Sequence, residues 1–541
     1  MPLVGPSKYQ NNKRLIICCD GTWFNSDNGW VEGTLLDPTG HLQTPSNVTR
    51  ISRAIPAKTF DGHDQIVFYQ SGVGTSWSTV ERYVGGATGE GLSENIREAY
   101  GFICNNWAEG DEIFLIGFSR GAWTARSIGG LIGSMGLLNK EGLPFFYDVL
   151  KDWENAGSLK YKPKLPSALA DFKLEAVPGN AQDYLSDYKA KLKHMGMIRE
   201  PRVMAIGVWD TVGALGIPVS PVMSKLCLPT TVNEYRFNDT GLGNHIQNAF
   251  HALSLDETRS PFSPTLWERP PGCHTNLKQV WFPGSHADVG GGYDQTAPAD
   301  ISLAWMMSQL HYCGLEFNRL YVNRLPSLPF SMLRPAPLYA TGNPEPKPKQ
   351  SGLFSTKRAT DGNSPFRGWA QGTLHTTQGF PSNLLFSKPR TPGLYRRVDG
   401  GTGKRTGHAL SDTCEFVHAS VRARILLRGP KANDKSGVYR PKALAGWALQ
   451  DEGPVLQHAD TVLGGASSQH EAADKWSAED GGDWSQRAKD VAQRHSWVYR
   501  GRDKAGYEEG HAKVLREDEL GHYELELAKM DPLAARAVLG C

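Results

Sequence analysis

The sequence lacks the marks of a nucleic-acid binder, a zinc protein and a membrane-spanning protein. Its 58 Lys and Arg nearly balance 56 Asp and Glu, for a formal net charge of +2, so no overall positive field suits it to nucleic acid. The eight cysteines, at positions 18, 19, 104, 227, 273, 313, 414 and 541, form no C-x-x-C pair. That removes zinc-ligand spacing and a redox dithiol. No window approaches the ~18 apolar residues of a membrane span. The run Leu15–Cys19 is too short for the apolar region of a signal peptide. With Pro2 at the second position and Cys541 as the last residue, we expect neither a myristoylation signal nor a C-a-a-X box. Low complexity is lacking too: 59 Gly and 34 Pro in 541 residues fall short of a collagenous or linker-like composition. These absences lead us to expect a reduced, soluble, cytoplasmic protein without a nucleic-acid partner.

What is present is enough apolar material, 39% against 21% charged residues, for a large core. Charge is uneven along the chain. Between 341 and 410 Lys and Arg outnumber Asp and Glu 11 to 3, and between 451 and 541 they are outnumbered 18 to 11. The basic stretch reads as solvated loops, or as a peripheral contact with an anionic membrane. Short apolar runs closed by turns, the pattern of buried parallel strands, occur at 14–19, 65–69, 112–117, 203–209 and 279–282. Helical spacing occurs at 93–104, with Ser93 as a helix cap, and at 122–131 and 302–311. Strands alternating with helices predict an α/β fold: a mostly parallel sheet with helices on both faces. We expect a catalytic domain over 12–325 with cap insertions at 139–200 and 218–278, a basic irregular segment at 326–409, and a C-terminal extension at 410–541 partly packed on the core. Length alone allows several domains; this pattern favours one enlarged unit.

In such sheets chemistry sits beyond the carboxyl ends of the strands. Gly117-Phe-Ser119-Arg-Gly121 is a G-x-S-x-G motif between a strand and a helix, the setting in which a sharp turn exposes a nucleophilic serine. Gly117 and Gly121 fit where side chains would collide. The backbone N–H of Arg120, at the helix start, is a candidate oxyanion donor. A serine needs a base and the base an orienting acid, in the chain order Ser, Asp, His. Asp210 follows the strand 203–209, and His286 follows the strand 279–282 in a Gly-dense loop. His418 is the rival base; His245 and His251 fall in a helix-like segment. The loop Asp20-Gly21-Thr22 offers a second oxyanion donor from Gly21 or Thr22, with Asp20 bracing it. Asp288 supports the site.

Other chemistries are weaker. Asp20-Gly-Thr lacks the second Asp of an aspartyl phosphatase, because position 18 is Cys. The glycines at 86–91 precede Leu92, where a phosphate loop needs Lys. Asp20, His286 and Asp288 could together hold a divalent ion for phosphoester hydrolysis. A hydrolase fold kept as a non-catalytic interaction module is a further alternative. We expect no resident cofactor or metal.

Taken together, Cys19-Asp-Gly-Thr-Trp, Pro45-Ser-Asn-Val, Tyr69-Gln-Ser-Gly-Val-Gly-Thr, Gly85-Gly-Ala-Thr-Gly-Glu-Gly, the Ser119 motif, Trp209-Asp-Thr-Val-Gly, Ala252-Leu-Ser-Leu-Asp-Glu-Thr-Arg and Phe282-Pro-Gly-Ser-His-Ala-Asp-Val-Gly-Gly-Gly-Tyr resemble an α/β-hydrolase family long catalogued as a domain of unknown function. That family includes type VI secretion phospholipase effectors, and this chain is similar to its fungal members. The resemblance covers about 12–320 and implies the triad Ser119, Asp210, His286 and a phospholipid or other lipid ester as substrate, cleaved through an acyl-enzyme.

Overall fold

The computed structural model describes residues 12–21, 30–31, 41–42, 44–72, 90–156, 164, 181–212, 242–318, 321, 368–376, 387–398, 405–451, 495–500, 514–529 and 531–539. Ten strands form one sheet: β1 (Arg14–Cys19), β2 (Gln65–Gln70), β3 (Glu112–Phe118), β4 (Val203–Trp209), β5 (Ile246–Ser254), β6 (Asn276–Phe282), β7 (Glu415–Val417), β8 (Trp447–Asp451), β9 (His495–Tyr499) and β10 (Val514–Glu517). Their order across the sheet is β8-β9-β10-β7-β6-β5-β4-β3-β1-β2. The pairings from β2 across to β10 are parallel; β9 and β8 close that edge antiparallel. This is the mostly parallel, α/β-hydrolase-like sheet the sequence predicts.

Successive residues of a strand face opposite sides, and here both sides are covered. Leu15, Ile17 and Cys19 of β1 join one apolar cluster with Leu115. Helices α2 (Glu90–Asn106), α3 (Arg120–Met135), α4 (Phe146–Glu154) and α5 (Ala181–His194) contribute Tyr100, Leu131, Trp153 and Tyr188 to it. Ile16 and Cys18 join the opposite cluster with Phe114. On that side lie α1 (Asn47–Ala54), α7 (Ala297–Tyr312), α9 (His522–Lys529) and α10 (Pro532–Leu539). This explains why β1 reads as an unbroken apolar run.

Three boundaries differ from the expectation. First, 218–278 is not one insertion, because β5 lies inside it and sits at the centre of the sheet. Its Gln247, Asn248, His251 and Ser254 interrupt the apolar run and imitate helical spacing. Asn248, His251 and Ser254 are bonded across to other segments; Asn248, for example, donates to Met204 O of β4 at 2.9 Å. Second, Ser93 lies within α2 and donates to Glu154 at 2.6 Å instead of capping. Third, the extension after 410 continues the sheet with four strands instead of only leaning on it. The charged stretch 514–529 is β10 followed by α9. Most of 326–409, the glycines at 85–89 and Thr22 lie outside the described residues.

The strand order places the site. From β1 the chain moves outward to β2; from β3 it moves the other way to β4. Adjacent strands whose connections leave in opposite directions open a crevice at their carboxyl ends. Asp20 and Gly21 follow β1 there, and Ser119 follows β3.

Candidate active site

Ser119 sits in the turn from β3 into α3 with φ 57° and ψ −119°, a region that side-chain-bearing residues seldom occupy. Its N–H donates to Trp209 O at 3.1 Å, which ties the turn to β4. The flanking glycines are sterically required. A Cβ on Gly121 would lie 2.2 Å from Cys19 O, and one on Gly117 would lie 2.4 Å from Gly121 O. The helix can therefore start hard against β1 only if both positions lack side chains.

Asp210 leaves β4 with φ 41° and is fully buried. Past β6, Gly284 (φ 107°) turns the chain into the short helix α6 (His286–Gly290), which Ser285 and Asp288 close as a reciprocal capping box. His286 begins that helix. Its Nε2 lies 2.9 Å from Ser119 Oγ, and its Nδ1 lies 2.6 Å from Asp210 Oδ2. The ring is packed against Phe118 at 4.7 Å and edge-on to Phe262 at 4.9 Å. Ser119 and His286 remain 7% and 6% exposed, whereas Asp210 is at 0%. The polar chain thus runs from a slightly accessible hydroxyl into a sealed carboxylate.

That carboxylate is densely bonded. Oδ1 accepts from Ser254 N at 3.0 Å and Arg390 Nη1 at 2.6 Å. Oδ2 accepts from Ser254 Oγ at 3.1 Å and Arg390 Nη2 at 2.9 Å, besides His286. Burial alone would raise its pKa. The Arg390 charge and the His286 bond outweigh it and hold Asp210 well below the usual carboxylate range.

The bracing loop also departs in part from expectation. Asp20 accepts from Gly21 N at 2.6 Å, Ser46 Oγ at 2.7 Å, Thr49 Oγ1 at 2.8 Å and Tyr69 OH at 2.6 Å. It braces the loop, and burial raises its pKa despite these bonds. The Gly21 N–H is thereby committed to Asp20, which argues against it as an oxyanion donor. Gly21 does lie against the serine, since a Cβ there would be 3.4 Å from Ser119 Cβ. Arg120 opens α3, where a helix has backbone N–H groups without intrahelical acceptors.

Asp20, His286 and Asp288 do not converge on a common centre. Asp288 accepts from Ser285 N and Oγ at 2.8 and 2.9 Å and from His375 N and Nδ1 at 3.0 and 2.6 Å. Among the described residues no group of three or more His, Cys, Asp or Glu is placed to hold a metal ion. The rival base His418 caps helix α8 (Ala419–Leu426) and bonds Glu524 at 2.7 Å in a fully buried pair. His251 lies on a strand, not a helix. Its Nε2 accepts from Thr211 N at 3.0 Å, and burial pushes its pKa down to about 3.

Sequence reading missed Arg390 and His375. Both fall in the basic segment read as surface, yet Arg390 is buried against Asp210. No local spacing links positions 180 residues apart.

Residues 13–309, more than half of the chain, match the model of the type VI secretion Tle1-like phospholipase effector catalytic domain. The chain belongs to this family. A relative within reach is an uncharacterized protein of Saccharomyces cerevisiae, YEL023C, 24% identical over 279 residues. That match covers 48% of this chain and 33% of the yeast protein, so it spans about a third of the relative's length. Solved structures with a likeness are an uncharacterized protein from Pseudomonas aeruginosa (16% identity, TM-score 0.29, covering 57% of this chain and 46% of that one). Another is the Tle1 effector bound to the VgrG spike of the type VI secretion system (18% identity, TM-score 0.24, covering 52% of each chain). The family match ends at 309, before the segment that carries His375 and Arg390.

Proposed function

We propose that this protein is a serine esterase that hydrolyses a carboxylic ester bond of a phospholipid or related lipid ester. The observation that carries the reading is the hydrogen-bonded chain from Ser119 Oγ through His286 to Asp210, at 2.9 and 2.6 Å. Membership of a phospholipase effector family supports the substrate class.

In this mechanism Asp210 accepts from His286 Nδ1–H, which leaves Nε2 unprotonated and facing Ser119. As Ser119 Oγ attacks the ester carbonyl, Nε2 takes its proton and Asp210 stabilises the imidazolium. The oxyanion forms beside the start of α3, within reach of the Arg120 backbone N–H and the positive end of the helix dipole. His286 then protonates the leaving alcohol. A water deprotonated by His286 cleaves the acyl-enzyme and returns Ser119 to its starting form. The burial of Asp210 strengthens each of these interactions by excluding water.

The test is purified Ser119→Ala against short p-nitrophenyl esters and phospholipid vesicles. Turnover is expected to fall by about 10³-fold or more, to the residual level left by oxyanion stabilisation and binding alone. Wild-type protein should react with a fluorophosphonate probe at Ser119, whereas a non-catalytic scaffold would not react. Unchanged turnover in the variant would end the esterase reading.

A further inference from the structure

We propose that Arg390 is a positioning residue of this active site, which holds Asp210 by both oxygens and sets the pH at which the Asp210–His286 pair takes up a proton. The proposal rests on the esterase reading. It adds to it a residue from outside the family-matched region 13–309.

The geometry is specific. Arg390 is 4% exposed, and its Nη1 and Nη2 meet Asp210 Oδ1 and Oδ2 at 2.6 and 2.9 Å. This is the bidentate arrangement that fixes a carboxylate in rotation as well as position. Nη2 also donates to Phe262 O at 2.8 Å, and Phe262 packs edge-on against the His286 ring. One guanidinium therefore holds the acid that orients the base and one wall of the base's pocket. Arg390 is itself held on both sides. Before it, Ser387 bridges Arg259 and Lys388 N donates to Thr258 O at 2.8 Å. After it, Gly393 N donates to Glu415 at 2.8 Å, and Tyr395 stacks on Trp281 of β6. A second link from 368–376 reaches the other flank of His286, where His375 bonds the Asp288 that caps α6.

The charge has a direction. Most charged groups near His286 are matched. Glu257, 3.4 Å from the His286 N–H, is paired with Arg259. Asp288 is bonded to His375. His251, with Arg126 near it, is held neutral by burial. The Arg120 guanidinium is lowered to about 10 by burial and remains cationic. Asp210 is the acid in direct contact with the imidazole, and Arg390 neutralises it. A fixed cation there opposes proton uptake by the Asp210–His286 pair, whichever member holds the proton. Removing the cation therefore raises the apparent pKa of the pair. Because activity needs an unprotonated Nε2, the acid limb of the rate profile moves to higher pH.

The experiment measures kcat and kcat/KM against pH with p-nitrophenyl butyrate, using the full-length chain and the variants Arg390→Gln, Arg390→Lys and His375→Gln. Arg390→Gln is expected to move the acid limb up by about one pH unit and to lower kcat about 10- to 100-fold through misplacement of the base. Arg390→Lys keeps the charge and loses the fork, so its acid limb should stay at the wild-type position while kcat falls. His375→Gln cuts the other link without touching Asp210, so its acid limb should not move. An unmoved acid limb in Arg390→Gln overturns the proposal, as does an equal shift in His375→Gln. Should Arg390→Gln fail to fold, Arg390→Lys decides alone: wild-type kcat, or an acid limb moved by a full unit, overturns it. Ser119→Ala measured alongside separates the two readings. Turnover surviving in that variant removes the esterase itself. Its loss, with Arg390→Gln unshifted, removes only the role of Arg390.

Discussion

Asp210 concentrates the residue-scale physics. A carboxylate removed from water normally takes a proton, yet five hydrogen bonds from Ser254, Arg390 and His286 keep this one ionised. Its folded pKa is depressed, so the unfolded chain binds the proton first as pH falls. The stability that these bonds contribute is full above the ordinary Asp value of ~3.9 and is lost progressively as pH drops below it. Urea midpoints between pH 6 and 3 should therefore fall more steeply for the wild type than for Arg390→Gln, whose Asp210 lacks the cation. Parallel slopes would show that Arg390 does not hold the charge. Ser119 is the other special residue. Its strained φ of 57° is maintained by the Trp209 O bond and by the packing of α3, consistent with strain stored where a hydroxyl must project.

At the scale of elements, the contact between α3 and the carboxyl end of β1 positions the serine. The helix is rich in small residues, and Gly121 brings its first turn onto Cys19 and Asp20. Gly121→Ala would place a Cβ 2.2 Å from the Cys19 carbonyl and 2.4 Å from that of Asp20, both backbone atoms that cannot swing aside. A loss of about 1–3 kcal/mol in unfolding free energy is expected, with reduced fluorophosphonate labelling because Ser119 is displaced. A chemical-denaturation midpoint equal to wild type would show that the turn relaxes. Most of these elements are legible along the chain. β1, β3, β4 and β6 are short apolar runs largely buried on both faces, β2 is an apolar run at the partly exposed sheet edge, and the Ser119 motif lies where one of them meets a helix. β5 is not legible, because its polar positions are paired with neighbouring strands and buried glutamine, contacts that do not exist in the sequence. His251, which looks like a helix residue by spacing, accepts from Thr211 N and lies 3.2 Å from Gln279.

For the whole molecule, the match to the catalytic family ends at 309, but the sheet does not. β7 pairs with β6 and β10 pairs with β7, and Arg422 of α8 is buried against Glu517 of β10 at 2.9 Å. A fragment covering 12–325 would expose the β6 edge, an unpaired strand that invites aggregation. It would also leave Asp210 buried without its cation, at a cost of about 3–5 kcal/mol. We expect that fragment to be insoluble or inactive when expressed, while the full chain is soluble and labels with fluorophosphonate. A soluble, fully active fragment would show that the later strands are dispensable.

The sequence by itself determined the parallel sheet, the serine turn and the order Ser119, Asp210, His286. Each rests on local sterics or on periodicity, which a linear chain records. Only the tertiary structure decided that Gly21 serves Asp20 and that β5 is a core strand. Only it, too, brought Arg390 and His375, from a segment that reads as basic surface, inward onto Asp210 and Asp288 beside His286. Those outcomes depend on burial and on charges meeting across as many as 180 residues, and burial, not the bare charge, turns an arginine into the partner of an aspartate.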